Sequence, residues 1–220
     1  MDHRLPAWVA FVAAAFAALG LLLVDRPLAE WIHASPIAHA RVFEWGLAGL
    51  DGAAGMHVWF WLAGSVALAI GVIGLLLRRG ARWPLAWLAA GVVQIATLHT
   101  MILGKSHFGR LRPSEVFERG DWSQIWFVGG GSFPSGHSAF YFGLLLPLAA
   151  ACTIRWLRVV LLAVPVYVAI ARLGLERHFL SDVTASAVIA AAYTWLACTL
   201  LQRWWPRVTR VHPGLATDPA

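Results

Sequence analysis

Long apolar runs constrain the fold of this chain more than any other feature of its sequence. A helix needs about 20 predominantly apolar residues to cross the hydrocarbon core of a bilayer. Six runs approach that length, and they cover residues 7–24, 58–77, 84–103, 138–153, 156–171 and 183–201. The sequence therefore predicts an all-α fold, a bundle of six transmembrane helices that forms a single integral-membrane domain over residues 1–220.

The composition agrees with this class of protein. Hydrophobic residues make up 60% of the 220 residues and charged residues 13%, whereas a soluble domain is about half apolar and about a quarter charged. The net charge of +6 would suit a nucleic-acid partner, but most basic residues flank the apolar runs. Membrane topology explains that placement better. We therefore expect the bilayer as a partner and no nucleic acid.

The charge pattern also predicts how the chain is oriented. The first apolar run begins like a signal peptide, but no small-residue cleavage site follows it, so we predict a retained first span. An even number of spans places both termini on one side. The basic residues divide almost evenly between the two sides, whereas Asp2 and Asp218 are the only acidic residues beside the termini. If chemistry retains some basic residues on the opposite face, the remaining bias predicts cytoplasmic termini.

The segment between the first two apolar runs has a mixed character. Residues 28–50 combine large apolar side chains with charges and histidines, and Pro36 interrupts them. Such a pattern is typical of an amphipathic segment that lies in the membrane interface. We predict an interfacial segment that is broken at this proline.

Three polar clusters interrupt the apolar pattern, and the predicted topology places all of them at the face opposite the termini. The sequence KSHFGRLRP, residues 105–113, follows the third span. The sequence PSGH, residues 134–137, opens the fourth, and ARLGLERHFLSD, residues 171–182, joins the fifth to the sixth. Because they come from separate connections and meet at one depth, they predict a shared site.

The residue types in these clusters suit a phosphate group. Lys105, Arg112 and Arg172 supply three cations, and arginine forks make bidentate contacts with oxyanions. Ser135 and Gly136 stand where the fourth span begins, and the free amides of a helix N-terminus favour an anion. We therefore predict a phosphate-binding site from these five residues.

The same clusters contain the groups that phosphoryl transfer needs. His178 and Asp182 are four residues apart, so a helical turn would bring the carboxylate to the imidazole and fix its tautomer. The other ring nitrogen would then be free to attack. His137, from a different span, would be the general acid.

Simpler readings exist for each cluster taken alone. Lys105 and Arg112 also suit a solvated loop after a helix, Ser135 suits an ordinary N-cap, and His178 with Asp182 suits an interfacial hydrogen bond. Three clusters at one depth favour the catalytic reading. A zinc site is disfavoured because the histidines lack closely paired spacing, and packing or interfacial roles are expected for His57, His99 and His107.

In this order, Lys-x6-Arg-Pro, Pro-Ser-Gly-His and Arg-x5-His-x3-Asp resemble the three signature motifs of the type 2 phosphatidic acid phosphatase superfamily. That superfamily includes membrane lipid phosphate phosphatases and soluble vanadium haloperoxidases. One position departs from the pattern, because Ala171 stands where the third motif usually has serine. This departure puts a supporting hydrogen bond in doubt rather than the chemistry.

The resemblance implies a role for each residue of the motifs. It implies that His178 attacks phosphorus to give a phosphohistidine, that Asp182 holds His178 in position, and that His137 protonates the leaving group. It also implies that no metal or other cofactor is needed. The phosphoryl oxygens would be bound by Lys105, Arg112, Ser135, Gly136 and Arg172.

The function expected from the resemblance is hydrolysis of a lipid phosphate at the periplasmic or exterior face of a bacterial cytoplasmic membrane. The substrate would be phosphatidylglycerophosphate, phosphatidic acid, undecaprenyl pyrophosphate or a lipid A phosphate. A lipid phosphotransferase and a non-catalytic lipid-phosphate transporter are the alternatives, and a haloperoxidase is disfavoured because six spans suit a lipid substrate. Residues 115–132 are the expected place of head-group selection, and residues 129–131 have no assigned role.

Overall fold

This computed structural model describes residues 1–78 and 82–211, with side chains described as far as Arg203. Most of those residues are helical, with no strand among them. The helices are α1 (Arg4–Leu19), α2 (Asp25–His33), α3 (Arg41–Ala53), α4 (Leu62–Leu77), α5 (Trp83–Phe108), α6 (Pro113–Arg119), α7 (Gly136–Ala151), α8 (Arg155–Gly174) and α9 (Leu180–Val211). A π-helical turn, Gly20–Val24, joins α1 to α2.

Each predicted apolar run coincides with a helix of the described residues, although residues 58–61 precede α4 and residues 152–153 follow α7, and the all-α class is confirmed. Within the described part of the chain, four helical stretches are long and apolar enough to cross a membrane, namely Arg4–His33, Trp83–Arg119, Arg155–Gly174 and Leu180–Arg203. Two shorter apolar helices, Leu62–Leu77 and Gly136–Ala151, account for the other runs. The chain is therefore an integral membrane protein by length and composition of its helices.

Helix α7 lies at the centre of the bundle, where it packs against α5, α8 and α9. Its Phe140 and Leu146 are fully buried, together with Leu98 of α5 and Val168 of α8. Because α7 is surrounded by protein over most of its length, it is not limited by the length rule for an isolated span. Pro147 lies inside this helix, as a buried membrane helix tolerates.

The N-terminal helices differ from the prediction at one boundary. The first run was expected to end at residue 24, but the helical stretch continues to His33 without a break. The π turn adds a residue to the helix at that point, and Asp25 directly after it is buried. The predicted break near Pro36 is confirmed, since turns occupy residues 34–39 between α2 and α3.

The ends of four helices meet at one end of the bundle. These are the C-terminal ends of α5 and α8 and the N-terminal ends of α7 and α9, and all three polar clusters lie there. The amide of Ser135 donates to the carbonyl oxygen of Asp182 at 3.1 Å, which ties α7 to α9 at this end. Glu176 pairs with His33 at 2.8 Å and with His39 at 3.2 Å, which fastens the α2–α3 connection to the α8–α9 loop.

Candidate active site

His178 lies in the short loop between α8 and α9, and 3% of the residue is exposed. Its Nδ1 is 2.8 Å from the carbonyl oxygen of Ser132. A carbonyl oxygen only accepts hydrogen bonds, so this contact assigns the proton of the neutral imidazole to Nδ1. Nε2 is then the nitrogen with a free lone pair.

The environment of His178 favours the neutral imidazole. Burial lowers the pKa of His178 from 6.5 to about 3, and the charges of Arg172 and Lys105 act in the same direction. Asp182 opposes this shift. Because the lowering wins, the ring is neutral at physiological pH and its Nε2 lone pair is available for attack.

Asp182, in the first turn of α9, makes its closest hydrogen bonds with the residues around His178 and not with the imidazole of His178 itself. Its Oδ2 accepts from the amide of Phe179 at 2.8 Å and from the hydroxyl of Ser132 at 2.5 Å. The same oxygen is 3.7 Å from Nδ1 of His178, which is beyond hydrogen-bond distance. The predicted direct hydrogen bond is therefore replaced by a route through Ser132, whose hydroxyl binds Asp182 and whose carbonyl oxygen binds His178.

Arg110 joins Asp182 to the N-terminal part of the chain. Its Nη1 donates to Oδ1 of Asp182 at 2.6 Å, and its Nη2 donates to Oδ2 of Asp25 at 2.7 Å. The guanidinium lies over the rings of Trp126 and Phe179, with centroids 4.4 Å and 4.0 Å away. Only 2% of Arg110 is exposed. A buried arginine between two carboxylates is a stable arrangement only while both pairings are intact.

The π turn and a glycine allow Asp25 to reach this position. Oδ1 of Asp25 accepts from the amide of Ser181 at 3.0 Å, and the Ser181 hydroxyl also donates to Asp25. A Cβ at Gly20 would lie 2.8 Å from Oδ1 of Asp25 and 2.9 Å from the amide nitrogen of Ser181. Only glycine fits there without displacing the start of α9.

Two of the predicted phosphate-binding cations converge on one loop residue. The ammonium of Lys105 donates to the carbonyl oxygen of Gly131. A Cβ at Gly131 would be 3.9 Å from Nζ of Lys105 and equally far from Nη2 of Arg112. The Nε atoms of Arg112 and Arg172 are buried and have no hydrogen-bond partner among the described residues. These cations have charge and donor capacity to offer to an anion.

Arg112 is held by the start of α6. Pro113 occupies the first turn of this helix, and the amide of Arg112 donates to Oε2 of Glu115 at 2.7 Å. This contact satisfies the backbone amide of the residue that precedes the helix and so fixes the position of Arg112. The simpler interpretation of Arg112 as part of a solvated loop does not hold, because this residue directly precedes the ordered helix α6.

The glycines of the loop before α7 have a structural explanation. Gly130 donates its amide to the carbonyl oxygen of Gly109 at 2.9 Å, and a Cβ at Gly130 would be 2.3 Å from the carbonyl oxygen of Arg110. The loop thus packs backbone against backbone beside the first polar cluster. This close approach places the carbonyl groups of Gly131 and Ser132 where they meet Lys105 and His178.

The N-terminus of α7 has the N-cap that the sequence suggested for Ser135. The Oγ of this serine accepts from the amide of Ser138 at 3.4 Å. Gly136 begins the helix, and a Cβ there would lie 4.0 Å from Cε of Lys105. The start of α7 and the lysine are therefore neighbours, as a phosphate site requires.

His137 follows in the first turn of α7, with its ring turned toward α3. Its Nε2 is 3.1 Å from Oδ2 of Asp51, and the hydroxyl of Tyr141 donates to Oδ1 of the same carboxylate at 2.8 Å. The side chain of His137 is 24% exposed, which leaves it accessible, whereas that of Asp51 is 7% exposed.

The structure thus gathers the predicted residues at one end of the bundle and adds four that sequence reasoning missed. These are Ser132, Arg110, Asp25 and Asp51. Arg110 lies inside the first polar cluster, and an acidic residue at the end of an apolar run, such as Asp25, is a signal in itself. Ser132 acts through its hydroxyl on Asp182 and through its backbone carbonyl oxygen on His178, and Asp51 stands on an amphipathic helix. Both make these contacts with residues distant in sequence, so neither had a signal.

Residues 82–206 match the family model of the PAP2 superfamily. The match covers more than half of the chain and includes all three polar clusters, so the protein belongs to the PAP2 superfamily. Members of this superfamily generally hydrolyse phosphate esters. Comparisons with curated proteins and with solved structures gave no match. Asp25 and Asp51 lie outside the matched residues.

Proposed function

We propose that the protein is a metal-independent membrane phosphatase that hydrolyses a phosphomonoester or pyrophosphate head group of a lipid through a phosphohistidine at His178. The observation that carries this proposal is the state of His178. It is buried and neutral, its Nδ1 is held by a backbone carbonyl oxygen, and its Nε2 is left for attack. A site that only bound lipid phosphate would have no need of such a nucleophile.

In the first step, Nε2 of His178 forms a bond to phosphorus while the bond from phosphorus to the lipid oxygen breaks. His137 gives its proton to that oxygen, and the lipid alcohol leaves. The phosphorylated imidazole carries a positive charge, which Asp182 at 3.7 Å and the carbonyl oxygen of Ser132 stabilise.

In the second step, His137 takes a proton from water as the water oxygen bonds to phosphorus. The bond from phosphorus to Nε2 breaks, which releases phosphate and restores His178. The charge on the phosphoryl oxygens in both steps is stabilised by fixed cations and by the free amides of α7. The proposed groups are Lys105, Arg112, Arg172, Ser135 and Gly136.

A lipid substrate is supported by the place of the site, at the end of a bundle of apolar helices. The proposed arrangement has six spans, cytoplasmic termini and a site that faces the periplasm or exterior of a bacterial inner membrane. The proposed substrates are phosphatidylglycerophosphate, phosphatidic acid, undecaprenyl pyrophosphate and lipid A phosphate. Residues 115–132 are the proposed place of head-group selection, and Trp126 within them packs against the guanidinium of Arg110.

The test is phosphate release from a panel of these four lipids by purified protein in detergent with EDTA. We expect turnover of at least one lipid, and we expect none by the His178→Ala variant. His107→Ala is the matched control, because this histidine is exposed and its ring packs beside the rings of Phe108 and Phe127. A strict metal requirement would contradict the proposal. Transfer of the phosphoryl group to an added acceptor lipid, without phosphate release, would identify a phosphotransferase instead.

A further inference from the structure

Asp51 stands out as a buried carboxylate that the PAP2 match does not include. It lies on α3, upstream of the matched residues 82–206, and 5% of it is exposed. Both of its oxygens face α7, where one meets Nε2 of His137 and the other accepts from Tyr141. His137 and Tyr141 are four residues apart and therefore share one face of the helix.

The geometry points to Asp51 as the positioning residue of His137, one that fixes which ring nitrogen serves the substrate. This inference rests on the proposed phosphatase function. A carboxylate only accepts hydrogen bonds, so Nε2 of His137 keeps its proton toward Asp51. Nδ1 is then the nitrogen that donates a proton to the leaving oxygen in the first step and takes one from water in the second.

Charge supports the same assignment. Although burial opposes ionisation, the hydrogen bond and charge of His137 hold the pKa of Asp51 below its usual value, and Tyr141 contributes in the same direction. Asp51 is therefore an anion that accompanies His137 while the ring is protonated. Asp51 is also near enough to Arg172 for their charges to interact, which places the pair beside the phosphate-binding cations.

The role of Tyr141 follows from its contact. Its hydroxyl donates to Oδ1 of Asp51 at 2.8 Å and so leaves Oδ2 as the oxygen that meets His137. Tyr141 is 3% exposed, so this hydroxyl is not replaced by solvent when it is removed. The Tyr141→Phe variant keeps the carboxylate and loses only this restraint.

The test compares two leaving groups. An alkyl lipid phosphate needs a proton on its leaving oxygen, whereas 4-nitrophenyl phosphate leaves as a stable anion and needs little help. For Asp51→Asn we expect kcat/KM, which reports the first step and not the second step that both substrates share, to fall about 100-fold on the alkyl substrate and less than about threefold on the aryl substrate. Tyr141→Phe should show the same selectivity with a smaller loss. A merely structural role would lower both rates together.

A double-mutant cycle decides whether Asp51 acts through His137. The Asp51→Asn/His137→Ala variant should be no slower on the alkyl substrate than His137→Ala alone, because residues that act as a unit are not additive. The matched control is Glu44→Gln, an exposed carboxylate on the same helix, which should leave both rates unchanged.

Equal losses of kcat/KM on both substrates, or additive effects of the two substitutions in the double-mutant cycle, would overturn the inference. The proposed function would still stand in either case, because the wild-type protein would have turned over its substrate. If Asp51→Asn does not fold, the comparison of the two substrates and the double-mutant cycle with His137→Ala are made with Tyr141→Phe instead, and their results decide. A wild-type protein that hydrolyses neither substrate would overturn the proposed function and this inference with it.

Discussion

The pairing of Asp25 with Arg110 leads to a prediction about stability. In Asp25→Asn the side chain keeps its shape, and the remaining oxygen can still accept from the amide of Ser181. The new amide nitrogen, however, faces Nη2 of Arg110, which was 2.7 Å from a carboxylate oxygen. Two donors then oppose each other in a site where Arg110 is almost fully buried.

The size of the effect follows from burial. Removing one partner of a buried ion pair costs about 3–5 kcal/mol. Since Arg110 keeps Asp182 as a second partner, we expect the lower end of that range, about 3 kcal/mol. A chain of this length loses about 2–4 °C of Tm per kcal/mol, so the Tm should fall by about 6–12 °C.

The assay is thermal unfolding in detergent, followed by the loss of monodisperse protein in size-exclusion chromatography. Glu30→Gln is the matched control, because Glu30 pairs with Arg26 on the same helix at 2.8 Å but both side chains are about half exposed. An exposed pair of this spacing contributes about 0.3–0.5 kcal/mol, so its Tm should move by less than about 2 °C. Equal shifts for the two variants would refute the argument from burial.

Two further predictions test the site and its burial. Gly20→Ala should lower the Tm, because its Cβ would meet Asp25 and the amide of Ser181 at under 3 Å, whereas Gly49→Ala on α3, with nothing within 4 Å of its Cβ, should not. The low pKa of His178 makes the folded protein less stable in acid: the unfolded chain binds a proton below pH 6.5 and the folded chain only near pH 3. On acidification from pH 7.5 to 5.0, the wild-type protein should therefore lose about 2 kcal/mol more of its free energy of unfolding than the His178→Gln variant. A difference in Tm between the two proteins that stays constant over this pH range would contradict the prediction.

The sequence predicted the helices because a run of apolar residues has few alternatives in a bilayer. It predicted which polar side chains gather at one end of the bundle, because the expected chemistry requires side chains of particular types, such as Lys105, Arg112 and His178. The N-cap role of Ser135 was readable for the same reason, since a serine before a helix has a known local partner.

The ion pairs and hydrogen bonds that link the site to the N-terminal helices could not be predicted. Asp25 and Arg110 are 85 residues apart, and Asp51 and His137 are 86 apart. Spacing gives no information about such partners, because they are fixed by how the N-terminal helices pack against the rest of the bundle. The hydrogen bond that orients His178 was also not predicted. It is made by the backbone carbonyl oxygen of Ser132, and every residue type has such an oxygen.

The central claim is that the phosphoryl group passes through His178, and trapping the intermediate tests it most directly. Wild-type protein should be mixed with a 32P-labelled lipid phosphate, denatured within the first turnover, and mapped by mass spectrometry. We predict a label that is stable in base and labile in acid, located on His178, present in His107→Ala and absent in His178→Ala. Label on another residue, or hydrolysis by His178→Ala at the wild-type rate, would contradict the account.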